Sequence, residues 1–406
     1  MYGKEYLKNK LIGTVQPYVD QKYRYYEMEN VFNDISFRNE PVELRQIKSV
    51  FGWCSKAVNT VADRLSIRGF KTDNFGMFEI FKLNNSDILF DSAILSSLIS
   101  ACSFIYIGRD EDGKATMQVI DGRNATGIID PITFMLTEGY AVLKRNEDGD
   151  IIQDAYFTVD ETVVETVGDR GLTIASYRNP APYPLLVPII NRPDSKKDFG
   201  RSRITKDMIS FQNEAIKTVH RMNISSIFYS FPQRYVLGVD PETEDIDKWK
   251  AAMSAILLLS DDEDGNRPSI GQFTQQSMAP YLEELKAVAS LFAGAADITM
   301  DDLGFVLSNP TSDDAIRSSH ENLRLYCNKC QKHFSTGFIN AGYLARCVQD
   351  DIAYKRTEIY GTELLWNPVF NITANSLGTI GDAVYKINQI VPGFITEDKL
   401  KEMTGF

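Results

Sequence analysis

The sequence predicts an α+β fold, and three observations carry that prediction. Over the first hundred positions apolar residues recur at three- and four-residue steps, the period of helices packed on one side. Between residues 102 and 191 the period becomes two, punctuated by Asp-Gly turns. Beyond residue 200 long helical patterns return, flanking a short stretch of mixed character. The chain has 406 residues, 43% hydrophobic and 24% charged. That is the balance of a folded globular protein, long enough for two or three domains.

The first helix expected in detail runs from Pro41 to Arg64. Val42, Leu44, Ile47, Val50, Phe51, Cys54, Val58 and Val61 line one side of it, and Leu65 continues the pattern. Pro41 suits a first helical turn and Gly69 a stop. Shorter helices are expected from Met77 to Leu83 and from Asp87 to Ser100. The run Ala93 to Ile107 is too short for a membrane span and is interrupted by Ser96, Ser97, Ser100 and Ser103. It reads as a buried helix passing into a strand.

Three hairpins follow. FIYIGR and TMQVI flank Asp110-Glu111-Asp112-Gly113. YAVLKRN and DIIQDAYFTV flank Glu147-Asp148-Gly149-Asp150. TVVETV and LTIASYR flank Gly168-Asp169-Arg170-Gly171. PLLVPIINRP then reads as extended chain. Residues 202 to 230 read as one helix with Ser202 as N-cap and apolar positions spread around it. Residues 231 to 279 form an insertion with strands FPQRYVLGV and AILLLS around a helix DIDKWKAAMSA. A helix from Pro280 to Ala296 follows, with Glu283 and Glu284 near its N-terminus, where the dipole favours them. Residues 298 to 311 read as a loop. Ser312 to Asp350 is the longest helical run, with Ser312, Asp313 and Asp314 at its start. Residues 357 to 373 read as extended. The stretch from Thr379 to Phe406 reads as two short helices broken at Pro392-Gly393.

The chemistry-bearing patterns are weak. Gly108 to Lys114 fits GxxxxGK, but Ala115 stands where a phosphate loop needs Ser or Thr, and three acids in the loop would repel phosphate. A hairpin turn is the expectation. Cys327 and Cys330 share a helical face, with His320, His333 and Cys347 near in sequence. Core packing is expected there rather than a metal site. Five cysteines, an odd number, suggest reduced thiols. No Ser/His/Asp or Cys/His arrangement stands out among three histidines. Asp301-Asp302 lacks a second acidic strand for nuclease-type metal chemistry. The expectation is therefore no enzyme, no cofactor and no bound metal.

The formal net charge is −12. Such a chain is not built to grip nucleic acid by neutralising phosphates. The N-terminal MYGKEYLKNKLIGTV has no apolar signal-peptide core, so synthesis in the cytosol is expected.

The order of elements, read with particular residues, resembles the portal (head-tail connector) proteins of tailed bacteriophages, siphophage type. Tyr25-Tyr26-Glu27 looks like that family's YYE start. Trp53-Cys54-Ser55-Lys56-Ala57-Val58, through Ala62-Asp63-Arg64-Leu65 to Gly69-Phe70, looks like its "W…AV…A.RL…GF" helix. Val187-Pro188-Ile189-Ile190-Asn191-Arg192-Pro193, followed by Gly200-Arg201-Ser202-Arg203-Ile204, is similar to the segment that leads into its stem. Asp297-Ile298, Leu303-Gly304, Ser312 to Ile316 and Glu321 look like its tunnel segment. Thr299 departs from the pattern where proline is common, and Asp314 where Ser-Gly or Ser-Ala is usual.

The resemblance implies a ring, typically of twelve copies, at one capsid vertex of the virion, through which double-stranded DNA is packaged and ejected. It implies an α/β wing (1–201), stem helices (202–230 and 280–297) and a small α/β clip (231–279). It further implies a tunnel loop (298–311), a long helix into the wing (312–350), wing return strands (351–378) and a short helical crown (379–406). The tunnel loop would place Asp301, Asp302, Leu303, Phe305, Val306, Leu307, Ser308 and Asn309 near DNA, its apolar members packing on neighbouring loops or brushing the duplex. Lys206, Lys217 and Arg221 of the stem would bridge to acids of a neighbouring subunit or stay solvated. Asp240, Glu242, Glu244, Asp245, Asp261, Asp262, Glu263 and Asp264 would form the clip's docking surface. The implied partners are further copies of the chain, the terminase large subunit, a head-tail adaptor, and the major capsid and scaffolding proteins, with no membrane. Acidic walls would keep passing DNA centred. Another phage head-tail structural protein, and more distantly a metal-dependent enzyme, stand as alternatives.

Overall fold

The structure is a computed structural model. It describes residues 2–29, 49–168, 171–230, 234–237, 269–272, 277–305, 318–370, 374–397 and 399–400.

The chain opens in helix. α1 (Lys4–Lys10) passes through a π-helical turn (Leu11–Val15) into α2 (Gln16–Tyr26). α3 (Trp53–Ala62) is shorter than the expected Pro41 to Arg64. Pro41 lies outside the described residues, and residues 49–52 are not helical. Gly52 supplies the physical reason: glycine costs about 1 kcal/mol inside a helix, and here it is the N-cap. The missing side chain also leaves room for Met28, whose sulfur would sit 3.0 Å from a Cβ at that position.

The segment read only as a helix stop is a strand. β1 (Ile67–Lys71) pairs antiparallel with β12 (Glu363–Trp366) from the far end of the chain. α4 (Met77–Leu83) and α5 (Ser86–Ser100) fall where the periodicity puts them. The Asp73 carboxylate accepts the Met77 and Phe78 amides at 2.9 and 2.8 Å, capping α4.

The three Asp-Gly hairpins form as read. They are β2 (Cys102–Arg109) with β3 (Ala115–Ile120), β5 (Leu136–Arg145) with β6 (Ile151–Phe157), and β7 (Glu161–Gly168) with β8 (Gly171–Arg178). β9 (Leu186–Ile190) joins β2 to give a three-stranded sheet in the order β3-β2-β9. β4 (Ala125–Ile129) leads a five-stranded meander, β4-β5-β6-β7-β8. No strand was expected at β4, because four of its five residues are buried and no alternation marks them.

α6 (Lys206–Ser230) begins four residues later than expected. Ser202 is not its cap. Its hydroxyl donates to the Ile99 carbonyl (2.6 Å) and accepts the Ile204 amide (3.0 Å), tying the pre-helix segment to α5. Gly200 precedes it at φ +73°, where a Cβ would lie 2.1 Å from the Asn191 carbonyl oxygen. Only glycine fits that turn. β10 (Arg234–Leu237) pairs with β11 (Ser269–Gln272), a strand the sequence did not reveal. AILLLS and the insertion helix lie outside the described residues.

α7 (Ala279–Ala295) matches its expectation. α8 (Glu321–Asp350) starts after a break at His320, so the run from Ser312 is not one helix; Ser312 itself lies outside the described residues. The expected extended stretch from 357 holds a 3-10 turn (Arg356–Ile359) before β12. α9 (Ala374–Ile390) ends at the Pro392-Gly393 turn as read, but begins before Thr379.

One large core gathers α3, α4, α5, the three-stranded sheet and α8. Gly337 lets α8 lie directly on β9: a Cβ there would meet Ile189 Cδ1 at 2.7 Å and the Pro188 carbonyl at 3.1 Å. A second cluster (Leu7, Leu11, Tyr140, Val142) seats α1 on the five-stranded sheet. All five cysteines are free and buried. Burial pushes the thiols of Cys54 and Cys330 up to about 12, which makes them packing residues rather than nucleophiles.

Candidate functional site

The segment that the sequence singles out is the helix pair α6 and α7, with the junction where both meet α8. The pair is antiparallel. The Thr218 hydroxyl lies 3.0 Å from Glu284 Oε1, and the Ser225 and Tyr281 hydroxyls lie 2.9 Å apart one turn or more further out. Thr218 and Gln212 are fully buried, so polar groups run along the inside of this pair as well as its surface.

Two of the three cationic stem residues have acidic partners within their own chain. Lys217 pairs with Glu214 at 3.3 Å on its own helix. Arg221 lies 3.3 Å from Glu214 and 3.6 Å from Glu284 of α7. The spacing of 214, 217 and 221 explains this, because residues three, four and seven apart share a helix face. Lys206 is exposed in the first turn of α6.

The root of α6 sits in a polar socket. Lys22 of α2 is almost fully buried and donates to the Ile204 carbonyl at 2.9 Å. Burial lowers its pKa. Tyr25 donates to Asn213 Oδ1 at 3.0 Å, and the Cys54 amide donates to Gln212 Oε1 at 2.7 Å. Arg203 is also buried, at 4% exposure. One of its terminal nitrogens donates to the carbonyl of Ala296, the C-cap of α7, and the other lies 3.8 Å from Asp297. Its guanidinium stacks on the Tyr326 ring of α8, 4.1 Å from the centroid, while Arg192 stacks on the same ring at 4.9 Å.

The base of the expected tunnel loop folds onto its own chain. The Thr299 amide and hydroxyl both donate to Asp302 Oδ2 at 2.9 Å. His320 Nε2 lies 3.4 Å from the same oxygen, closing the loop where α8 begins. Burial alone would raise the Asp302 carboxyl. The Thr299 donors, with His320 and Arg64 nearby, outweigh it and hold the group below the ordinary carboxylate range. His320 meets Phe370 edge-on, and Arg64 lies over that ring at 5.2 Å. Leu303 and Phe305 pack against the main core, with Phe305 6.4 Å from Trp53.

Of the residues expected near DNA, Asp302, Leu303 and Phe305 are half-buried and make contacts within their own chain. The reason is the short 3-10 turn (Asp301–Leu303) closed by Gly304 at φ +86°, which folds the chain back against α3. Asp301 is exposed. Val306, Leu307, Ser308 and Asn309 lie outside the described residues, as do Asp240, Glu242, Glu244, Asp245 and the run Asp261 to Asp264. The sequence reading missed Arg203, Lys22 and His320 as structural residues.

The GxxxxGK match is a turn. Asp110 Oδ1 accepts the Lys114 amide at 2.7 Å, and Gly113 takes φ +82°. Among the described residues no group of three or more His, Cys, Asp or Glu is placed to hold a metal ion. No described helix is long and apolar enough to cross a membrane.

Known proteins give the context for this geometry. The chain is similar to the portal protein of Mycobacterium phage L5, 24% identical over 306 residues covering 70% of this chain. It is also similar to that of Mycobacterium phage D29, 22% identical over 320 residues covering 74%. It spans 62% and 65% of the length of these curated relatives. Among solved structures it is similar to a chain of the "Virion of native gene transfer agent (GTA) particle", at 11% identity and TM-score 0.45, covering 95% of this chain and 99% of that one. A chain of the "Neck of native GTA particle computed with C12 symmetry" is similar at 12% identity and TM-score 0.48, covering 87% and 89%. The sequence model described as "Phage portal protein, SPP1 Gp6-like" matches residues 15–357. That stretch contains the helix pair, its root and all of α8, and on it the chain belongs to the phage portal protein family.

Proposed function

We propose that the chain is the subunit of a portal ring at one capsid vertex, a channel for packaging and ejecting double-stranded DNA with no catalysis of its own. The observation that carries this reading is the family match over residues 15–357. The geometry supports it. Two helices leave a common root and return to it as a pair, with β10 and β11 paired next to them in the chain. The insertion, with its acidic runs, serves as the docking platform for the terminase large subunit and then for the head-tail adaptor. The body contacts further copies of the chain, and the major capsid and scaffolding proteins. The acidic chain lets DNA pass without being held, since few phosphates are neutralised.

Asp302, Leu303 and Phe305 hold the base of the loop to the body, and Asp301 is exposed beside them. Electron microscopy of the purified full chain tests the reading. Closed rings of about twelve copies, with a central hole near the ~20 Å width of a duplex, are expected. A stable monomer at micromolar concentration overturns it.

A further inference from the structure

A buried polar junction lies just ahead of α6, where one side chain touches both the C-terminal end of α7 and α8. Arg203 precedes α6 by three residues. Its amide donates to the Leu98 carbonyl of α5 at 2.7 Å, which fixes its backbone to the body. Its guanidinium donates to Ala296, the last carbonyl position of α7, and lies 3.8 Å from Asp297. The same guanidinium covers the Tyr326 ring of α8. The rest of that junction is equally specific. Asn191, wholly buried after β9, donates to the Arg201 carbonyl (2.8 Å) and lies 3.4 Å from the Tyr326 hydroxyl. Cys330 Sγ donates to Asn191 Oδ1 at 3.4 Å.

We propose that Arg203 is a coupling pin, a positioning residue that makes the α6–α7 stalk and the long helix α8 move as one body. Apolar contacts alone would let helices slide, because they are not directional. A planar guanidinium that donates to one helix end and stacks on a ring of another fixes both distance and angle. The C-terminus of α7 is also where its dipole favours a cation. A push on the stalk is therefore handed to α8 through Arg203 and Tyr326, and from α8 to the loop base at His320 and Asp302. The relevance to DNA passage rests on the portal reading; the coupling itself does not.

Amide hydrogen exchange on the full-length protein tests it, with two regions followed: the last turn of α7 (292–296) and the first turns of α8 (323–327). Arg203→Met should raise exchange in both regions by about tenfold or more. Arg203→Lys should not restore protection, because an ammonium lacks the planar fork. Tyr326→Leu should loosen the α7 turn as well as α8, whereas Tyr326→Phe, which keeps the ring, should leave the α7 turn protected. The amides of β5 and β6 serve as the unchanged reference. If Tyr326→Leu affects α8 alone, or Arg203→Met affects α7 alone, the coupling is overturned. Should Arg203→Met not fold, the two Tyr326 variants decide the matter. Ring formation is scored separately, so loss of the portal reading and loss of the pin are distinguishable.

Discussion

At Asp302 the balance of forces on one carboxylate determines a pH response. Its folded-state pKa lies below the ordinary value because the Thr299 donors and the charges of His320 and Arg64 favour the ionised form. A carboxylate depressed in this way contributes stability above its unfolded pKa of about 4, and that contribution disappears as pH falls through the lower folded value. Thermal unfolding followed from about pH 5 down to pH 2 should therefore show an acid limb. Asp302→Asn should flatten it and lower stability at neutral pH. An unchanged acid limb in the variant would assign the loss to other carboxylates, such as the buried Glu138 that accepts the Tyr2 and Gly3 amides.

At the scale of elements, the α6–α7 stalk is zipped by side-chain hydrogen bonds that face inward. Glu284 is the hub, lying 3.0 Å from the buried Thr218 hydroxyl and 3.6 Å from Arg221. Glu284→Ala should cost about 1–2 kcal/mol, since it leaves that hydroxyl with one acceptor fewer. Glu284→Gln should cost less, because the amide oxygen still accepts. Denaturant unfolding of both variants separates the hydrogen bond from the charge. A half-exposed ion pair such as Arg221–Glu284 contributes little by itself.

The same elements show what periodicity can and cannot reveal. The three Asp-Gly hairpins and the α4, α5 and α7 helices were legible because their signals are local: turn chemistry, a cap, a run of apolar residues at one spacing. β1 was not, because its partner β12 lies almost 300 residues away and its five residues carry no alternation of their own. The breaks at Gly52 and His320 were hidden for the opposite reason. The apolar spacing runs straight through each, while tertiary contacts decide where the helix starts. At the site, cationic residues on α6 were visible as a charge pattern. Their pairing with Glu214 follows from the helical spacing, but the second partner of Arg221 was not legible, because Glu284 comes from another helix about sixty residues on. The contacts of Leu303 and Phe305 with the main core, Phe305 beside Trp53, were not legible either, because Trp53 lies some 250 residues earlier in the chain.

At the scale of the whole molecule, net charge and architecture act together. A formal −12 on each copy makes an assembled ring strongly anionic. Purified rings should bind linear duplex DNA weakly, with a shallow dependence of affinity on salt. A protein neutralising six to ten phosphates would lose about 10³–10⁵ in affinity between 50 and 200 mM salt. A filter-binding or fluorescence titration across that range measures the slope. A steep slope would identify a phosphate-gripping surface and contradict passage without holding.

The stalk returns its chain to the point from which it left. Since the ends of α6 and α7 lie side by side, whatever joins them closes a loop whose entropy grows only slowly with its length. The insertion can lengthen, shrink or change its acidic surface while the Arg203 junction beneath it keeps its geometry. Changes of length between the two helices therefore need not disturb the root beneath them. For engineering, that marks the pair Ser230 and Ala279 as the natural splice points for a chimaera.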